Sequence, residues 1–350
     1  MRSEAIVEFG KPLQEIEGTP PEPKGTEVLI RVHNAGVCHS DVHIQDGHFD
    51  LGSGNKMPLK LPLPHVMGHE IEGEVAAVGP DVKGIEIGAH YAVFPWIGCG
   101  DCAACQRDEE NLCVGRPRQL GCSPNVPGGY ATHVLVPHPK YLLDYGNTPP
   151  ALAAAYMCSG LTAFGAMKKV GKLGPDDQVV VLGCGGVGMM GIEFACALFG
   201  KGPIAADIND GRLEAAKRGG AIATYNTKDA NAAKQLLTDT KGGAYAVVDF
   251  VGSEASFAFA NSVVRRGGKI IVVGLFGGQM SSPLPMFPLR ALTITGSFVG
   301  SLPEAQEMMA LVRDGKVRPI PIENRPLSDA SKTLDDLRNG KITGRVVLTP

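Results

Sequence analysis

The stretch Val180–Asp207, VVLGCGGVGMMGIEFACALFGKGPIAAD, constrains the rest of the chain most. Gln178–Leu182 is a largely apolar, β-branched run without punctuation, the pattern of a buried strand in a parallel sheet. It leads into Gly183-Cys184-Gly185-Gly186-Val187-Gly188, and Met189, Ile192, Ala195, Cys196 and Phe199 follow at helical spacing. A second short strand ends at Asp207, nineteen residues past Gly188. Strand, GxGxxG, helix, strand and acid in this order point to a dinucleotide site. Gly183 permits the tight turn, Gly185 lets backbone approach a pyrophosphate, and Gly188 lets the helix pack on the strand. The helix N-terminus, with Gly186 and Val187, offers N–H groups and a partial positive charge to the phosphates. Asp207 is placed to accept from a ribose 2′-OH and to repel a 2′-phosphate, so NAD is expected rather than NADP. In a chain with 46 glycines a bare GxGxxG is weak evidence of more than a turn. The flanking elements at matching offsets carry the reading.

Composition narrows the class. At 350 residues the chain suggests two domains, each with its own core. A net charge of −3 implies no nucleic-acid or anionic-membrane partner. No apolar run approaches the ~20 residues of a membrane span, and MRSEAIVEFG has no signal-peptide stretch, so a cytoplasmic location is expected. In a reducing compartment, clustered members of the nine cysteines are expected to be metal ligands rather than disulfides.

Before residue 150 the chain is β-rich, with short strands expected at Ala5–Phe9, Val28–Val32, Glu70–Val78, Ala89–Pro95 and Tyr130–Val136. Ala151–Tyr156 reads as helix. Strands then recur at Ile204–Ala206, Ala244–Phe250, Lys269–Gly274 and Leu292–Phe298, with helical patterns such as Gly211–Arg218 and Ser253–Val264 between them. This alternation implies α/β architecture with a doubly wound parallel sheet. Pro303–Gly315 and Asp329–Asn339 read as helices and Arg345–Leu348 as a last strand, a tail expected to rejoin the first domain.

Cys99, Cys102, Cys105 and Cys113 follow C-x2-C-x2-C-x7-C. Four thiolates in so short a loop can close a tetrahedron around zinc, and Gly98 and Gly100 give the loop freedom. An iron–sulfur cluster shares the start of this spacing but usually not its end. With no ligand position left open, such a zinc holds a loop and does no chemistry. Asp101, Asp108, Glu109 and Glu110 argue against a nucleic-acid-binding zinc module. Elsewhere, Gly36–His43 packs a thiol, a hydroxyl and two imidazoles together, Gly68-His69-Glu70 follows, and Cys158 stands where the character of the chain changes. Spacing alone does not unite these three places, and a lone cysteine is usually a small buried hydrophobe.

The full set of motifs, GVCHSDVH (36–43), GHE (68–70), the four-cysteine lobe, C-x3-T (158–162) and GCGGVG (183–188), resembles the zinc-dependent medium-chain alcohol dehydrogenases of the compact tetrameric type, in order and spacing over nearly the whole length. The resemblance implies a GroES-like catalytic domain over 1–159 and 301–350, with a zinc lobe at about 96–115, and a Rossmann NAD-binding domain over 160–300. It implies two Zn2+ per chain: one structural, and one catalytic on Cys38, His69 and Cys158, the Cys2His set known for alcohol dehydrogenase with one position open. Glu70 is similar to the family's acid that approaches the metal. His65, four residues before His69, sits among Pro62, Pro64 and Gly68, which argue against a helix, and is read as structural or peripheral, like His33, His48, His90, His133 and His138.

The activity implied is reversible hydride transfer between an alcohol and NAD, the zinc lowering the alcohol's pKa. Ser40 is similar to the residue that takes the alcohol proton and passes it, through the nicotinamide ribose hydroxyl, to His43. His39 and Arg345 resemble contacts to the pyrophosphate, Arg212 the basic residue at the adenosine ribose, and Thr162, Phe298 and Val299 neighbours of the nicotinamide. Trp96 and Phe49 resemble substrate-pocket residues, implying medium-chain, secondary or aromatic alcohols and the matching aldehydes and ketones. Family analogy also implies a homotetramer, with Ile294–Ser301 supplying an edge strand. Two alternatives are a zinc-free quinone or enoyl reductase of the same superfamily, which would lack Cys38, His69 and the cysteine lobe, and a binding protein that kept the fold but lost activity.

Overall fold

The computed structural model describes residues 1–350 and separates them into two units. One contains Met1–His48, Pro58–Leu161 and Gly300–Pro350; the other contains Phe49–Met57 and Thr162–Val299. In chain order the elements are β1 (Arg2–Ile6), β2 (Gln14–Glu17), β3 (Val28–Gly36), α1 (His39–Asp46), β4 (His48–Gly52), β5 (Asn55–Pro58), β6 (His65–Val66), β7 (Glu70–Val78), β8 (His90–Val93), β9 (His133–Val136), β10 (Leu142–Leu143) and α2 (Pro150–Ala155). They continue with α3 (Leu161–Val170), β11 (Val179–Leu182), α4 (Gly186–Phe199), β12 (Ile204–Asp207), α5 (Asp210–Arg218), β13 (Ala223–Asn226), α6 (Ala232–Asp239), β14 (Ala244–Asp249), α7 (Glu254–Val263), β15 (Val264–Val272), α8 (Met286–Arg290) and β16 (Thr293–Gly296). The tail forms α9 (Leu302–Arg313), β17 (Ile322–Pro326), α10 (Ala330–Arg338) and β18 (Arg345–Thr349).

The first unit is built on a seven-stranded sheet, ordered β10-β8-β7-β3-β18-β17, with β9 also paired to β3. Along β3, Val28, Leu29, Ile30 and Val32 are buried and only Arg31 is exposed, as befits a strand paired on both sides, to β7 and β9. Helix α2 packs its buried alanines on β7 and β3. The last strand, β18, pairs with β3 antiparallel and brings the C-terminus back to the first unit.

Three strands begin elsewhere than the sequence suggests, the last of them β15, which starts at Val264 and not at Lys269 because Val264 already pairs with Ala244. The first is Arg2–Ile6, because Phe9 leaves the strand to pack on Gly47. The strand expected from Tyr130 starts only at His133, because Tyr130 N–H donates to Met67 O and its hydroxyl to Asp41. The helical stretch Pro150–Val170, at 21 residues and a mean hydropathy of 1.2, does reach the length and composition of a membrane span, against expectation; 83% of the window is buried inside the protein, as in a core helix.

The second unit is a six-stranded, all-parallel sheet in the order β13-β12-β11-β14-β15-β16. β11 starts the order and the next strands go first to one side, then to the other, so the crevice at its carboxyl end is the topological switch point where such sheets bind ligands. Val180, Leu182, Ile204, Ala206, Val247 and Ile270 fill its core with helix residues such as Leu236, Phe257 and Ala260. Full burial of each large aliphatic chain contributes about 1.5–3 kcal/mol. The β4–β5 hairpin joins this unit because Gly52 lies against Gly278 and Gly277 against Asp50, approaches too close for a side chain.

Candidate active site

In the first unit, Cys38, His69 and Cys158 place their ligand atoms within 4.8 Å of one another, all buried. Each arrives by a different local device. Cys38 is the N-cap of α1. His69 precedes β7, on a turn where Gly68 has φ +96 and where a Cβ would run into the Tyr130 ring. Cys158 sits on a π turn, Tyr156–Gly160, which widens the helix after α2 by one residue.

The donor chemistry fits a zinc ion. Cys38 Sγ and Cys158 Sγ are 3.8 Å apart. The two thiols are coupled: the contact with Cys158 holds the Cys38 thiol well below its ordinary pKa, while Cys38 and burial push Cys158 well above it. His69 Nε2 is buried and has no hydrogen-bond partner in the protein. Its Nδ1 faces Asp41 Oδ1 at 3.3 Å, long for a hydrogen bond but fit to orient the ring. Burial pushes the His69 pKa down, but the charges of Cys122, Asp41 and Cys158 outweigh it and the net direction is up. Two buried sulfurs and a buried imidazole nitrogen, beside the buried Asp41 carboxylate, are a donor set suited to a dication.

Asp41, in the motif at 36–43, is the residue to which sequence reasoning assigned no role. It is wholly buried; Oδ2 accepts from Cys38 N–H at 2.9 Å and from Tyr130 OH at 3.1 Å. One carboxylate thus organises two ligands. Its signal lay in the spacing to Cys38, an N3 acid reaching back to the helix cap.

Around this core, Ser40 Oγ lies 3.7 Å from Cys38 Sγ. His39 and His43 lie on α1 with ring centroids 5.8 Å apart, and burial lowers the pKa of both. Trp96 is buried, donates Nε1–H to Met157 O at 3.0 Å, and its ring centroid is 5.4 Å from that of His69. Glu70 is wholly buried over Gly36, where a Cβ would overlap its carboxylate. Oε1 accepts from Ser159 N–H at 3.0 Å and Oγ–H at 2.6 Å, and Oε2 is bonded to Arg345 Nη2. Burial raises the Glu70 pKa despite the guanidinium. Arg345 is therefore an interior side chain, and its Nε has no partner. His65 bonds the Gly121 carbonyl through Nε2 at 3.0 Å, a structural role.

Cys99, Cys102, Cys105 and Cys113 form a second group, all four sulfurs within 4.8 Å. Gly98 and Gly115 are needed here, since a Cβ on either would press on a cysteine sulfur. Four sulfurs so placed fit a tetrahedral zinc with no open position. Glu110 ties the lobe down: it accepts from Gly98 N–H at 3.0 Å, Lys140 Nζ at 2.6 Å and Tyr141 OH at 2.7 Å. In the sequence Glu110 is one acidic residue among several.

In the second unit, the glycine motif joins β11 to α4. Gly183 has φ +87, and a Cβ on Gly188 would overlap the Gly183 carbonyl. Gly185 caps α4 with nothing of the protein near its missing Cβ, which leaves room for a phosphate; Gly186 and Val187 are the first helical residues. Asp207 ends β12 and uses its carboxylate on backbone, accepting from Cys184 N–H at 2.6 Å and Asn209 N–H at 2.9 Å. The acid therefore shapes the glycine turn itself. Arg212 is in the first turn of α5. Thr162 is on α3, Phe49 on β4, Phe298 is 47% exposed, and Val299 takes φ +41 beyond β16.

Residues 24–147 match the alcohol dehydrogenase GroES-like domain, and residues 186–314 match the zinc-binding dehydrogenase domain. An NAD-dependent alcohol dehydrogenase of Sulfurisphaera tokodaii is 40% identical, and one of Saccharolobus solfataricus 39% identical, each over 100% of both chains. The crystal structure of an alcohol dehydrogenase from Aeropyrum pernix superimposes with a TM-score of 0.90 at 28% identity, covering 100% of both chains. With a GroES-like sheet, a parallel doubly wound sheet and two thiol-rich ligand sets in matching order, this chain belongs to the zinc-dependent medium-chain alcohol dehydrogenase family.

Proposed function

We propose that this chain interconverts alcohols with aldehydes or ketones using NAD. The observation that carries the proposal is the convergence of two cysteine sulfurs on a buried imidazole nitrogen that has no protein partner. Cys38, His69 and Cys158 hold the catalytic zinc, and the four lobe cysteines hold the structural one. When bound, zinc polarises the alcohol oxygen and NAD takes up the hydride that leaves the carbon.

The remaining work falls to side chains. Ser40 accepts the alcohol proton; its position beside Cys38 supports this. His43, one turn further along α1, carries the proton outward. Glu70, held by Ser159 and Arg345, supplies a buried negative charge behind the ligands. Arg345 Nε and the His39 ring are the donors proposed for a phosphate. In the second unit, Gly183–Gly188 and Asp207 form the NAD site, with Arg212 at the ribose and Thr162, Phe298 and Val299 at the nicotinamide. The Trp96 ring gives the zinc site an apolar wall, which favours medium-chain, secondary or aromatic alcohols over polyols. The proposed assembly is a homotetramer, supported by β16 at a sheet edge and by exposed Leu284, Met286 and Leu289 nearby. A cytoplasmic home agrees with cysteines that are all free.

The test is absorbance of NADH formed from a panel of alcohols, with NADP as competitor cofactor, alongside zinc analysis and sedimentation. About two tightly held zinc ions per chain are expected, one for each ligand set. Absence of NAD reduction by every alcohol, in protein that holds both, overturns the proposal.

A further inference from the structure

A third ligand group stands outside both zinc sets. His33, Glu74 and His90 bring two imidazole nitrogens and a carboxylate oxygen within 4.8 Å of one another. Sequence alone reads both histidines as structural or peripheral. They come from three adjacent strands, β3, β7 and β8, with Glu74 directly opposite His90. His33 lies where the β3–β7 register slips between Val32 and Asn34, a bulge that re-aims its side chain. Its Nε2 is 3.8 Å from Glu74 Oε2, and the two rings are 5.1 Å apart.

A surface ion pair would need no more than this, but the site has a buried support. His90 Nδ1 lies 3.2 Å from Oε1 of Glu72, a carboxylate with no exposed side-chain area. Glu72 is itself fixed by Asn34 Nδ2 at 2.6 Å and Tyr145 OH at 2.8 Å. An Nδ1–H donated to that carboxylate sets the tautomer and leaves Nε2 with its lone pair outward, as in carboxylate–histidine–metal arrangements. Tetrahedral donors about 2.1 Å from zinc stand about 3.4 Å apart. The three side chains are 36%, 25% and 43% exposed, so small rotations close that gap. Arg31 touches the other oxygen of Glu74, at 3.8 Å, and is itself 54% exposed, free to turn into solvent.

We propose that His33, Glu74 and His90 bind a divalent transition cation of the zinc class, with water completing its coordination. Two imidazoles and a carboxylate select such ions over calcium or magnesium. The ion ties β3, β7 and β8 together. β3 ends at Gly36, two residues before Cys38, and β7 starts at Glu70, next to His69, so the clamp stiffens the strands that carry two ligands of the catalytic set. The proposal does not depend on the activity proposed above, because it is read as a difference between variants.

The experiment is equilibrium dialysis of the full chain in zinc buffers, with zinc per chain measured by mass spectrometry. Wild type is expected to bind one equivalent more than His33→Gln or His90→Gln at saturating free zinc. Glu72→Gln keeps all three ligands and is expected to weaken that extra equivalent by about 10–100-fold. The substituted imidazoles are surface groups, and an unchanged content of the tighter zinc confirms that the variants fold. Equal zinc in wild type and the His33→Gln/His90→Gln double variant overturns the proposal, as does extra binding that is the same in all of them.

Discussion

Asp41→Asn tests whether one carboxylate organises the catalytic ligands. The substitution keeps the shape and removes one acceptor oxygen. If the new amide nitrogen faces Cys38 N–H and Tyr130 OH, the 2.9 Å bond from Cys38 N–H to a charged acceptor is lost, while the Tyr130 hydroxyl turns to accept from the amide. That loss is about 1.5–3 kcal/mol at a fully buried position. If the amide nitrogen instead faces His69, Nδ1 must accept, and the ring proton moves to Nε2, the atom that looks toward the sulfurs. Either way zinc at this set should weaken by about 10–100-fold. The assay is zinc release to a coloured chelator, with the distant four-cysteine lobe as internal control. The expected variant loses one zinc early and the second at the wild-type rate. A variant that releases both at wild-type rates, with unchanged melting, refutes the role given to Asp41.

Asp207→Gly with Ile208→Arg should raise the kcat/KM ratio of NADP over NAD and lower stability by about 1–3 kcal/mol, because Cys184 N–H loses its acceptor. An unmodified enzyme that already prefers NADP contradicts the ribose reading. Ser40→Ala should cut turnover by at least about 100-fold while zinc content stays the same; normal turnover removes the proton relay. Glu110 is pushed up by burial, but Lys140, Tyr141 and Gly98 N–H hold it below its ordinary carboxylate pKa of 4.5. Its contribution is thus complete above 4.5 and is lost as pH falls through the lower folded value, so the melting gap between wild type and Glu110→Gln should shrink only in that acid range. Arg345→Met, which strands Glu70 in the interior, should cost about 3–5 kcal/mol, and the double variant with Glu70→Gln should recover much of it; additive losses would show that the two do not act as a pair.

The dinucleotide turn was legible because its requirements are local. Gly183 needs a left-handed backbone and Gly188 a close approach within six residues, and no distant partner enters. The four-cysteine lobe was legible for the same reason. Cys158 was not, from spacing alone. Its place depends on a π turn, which shifts the helical phase by one residue and leaves no mark in hydrophobic periodicity. Asp41 and Glu110 escaped notice because their partners are remote: Tyr130 is 89 residues from Asp41, and Tyr141 is 31 from Glu110. A carboxylate in a polar stretch reads as a solvated charge until burial is known.

The same limit explains Glu70 and Arg345, which the sequence places in separate roles 275 residues apart. In the folded chain they are one buried pair, with Ser159 completing the carboxylate's bonds. A buried ion pair adds little stability by itself, since desolvation offsets attraction. Its worth here is positional. Glu70 follows His69 and Ser159 follows Cys158, so the bond between Ser159 and Glu70 fixes the separation of two ligands whose chain positions are 89 residues apart. Arg345 then sets where Glu70 can sit, by way of β18 on β3, the strand that runs on to Cys38. Glu70 thereby registers the His69 and Cys158 segments, and Asp41 ties Cys38 to His69.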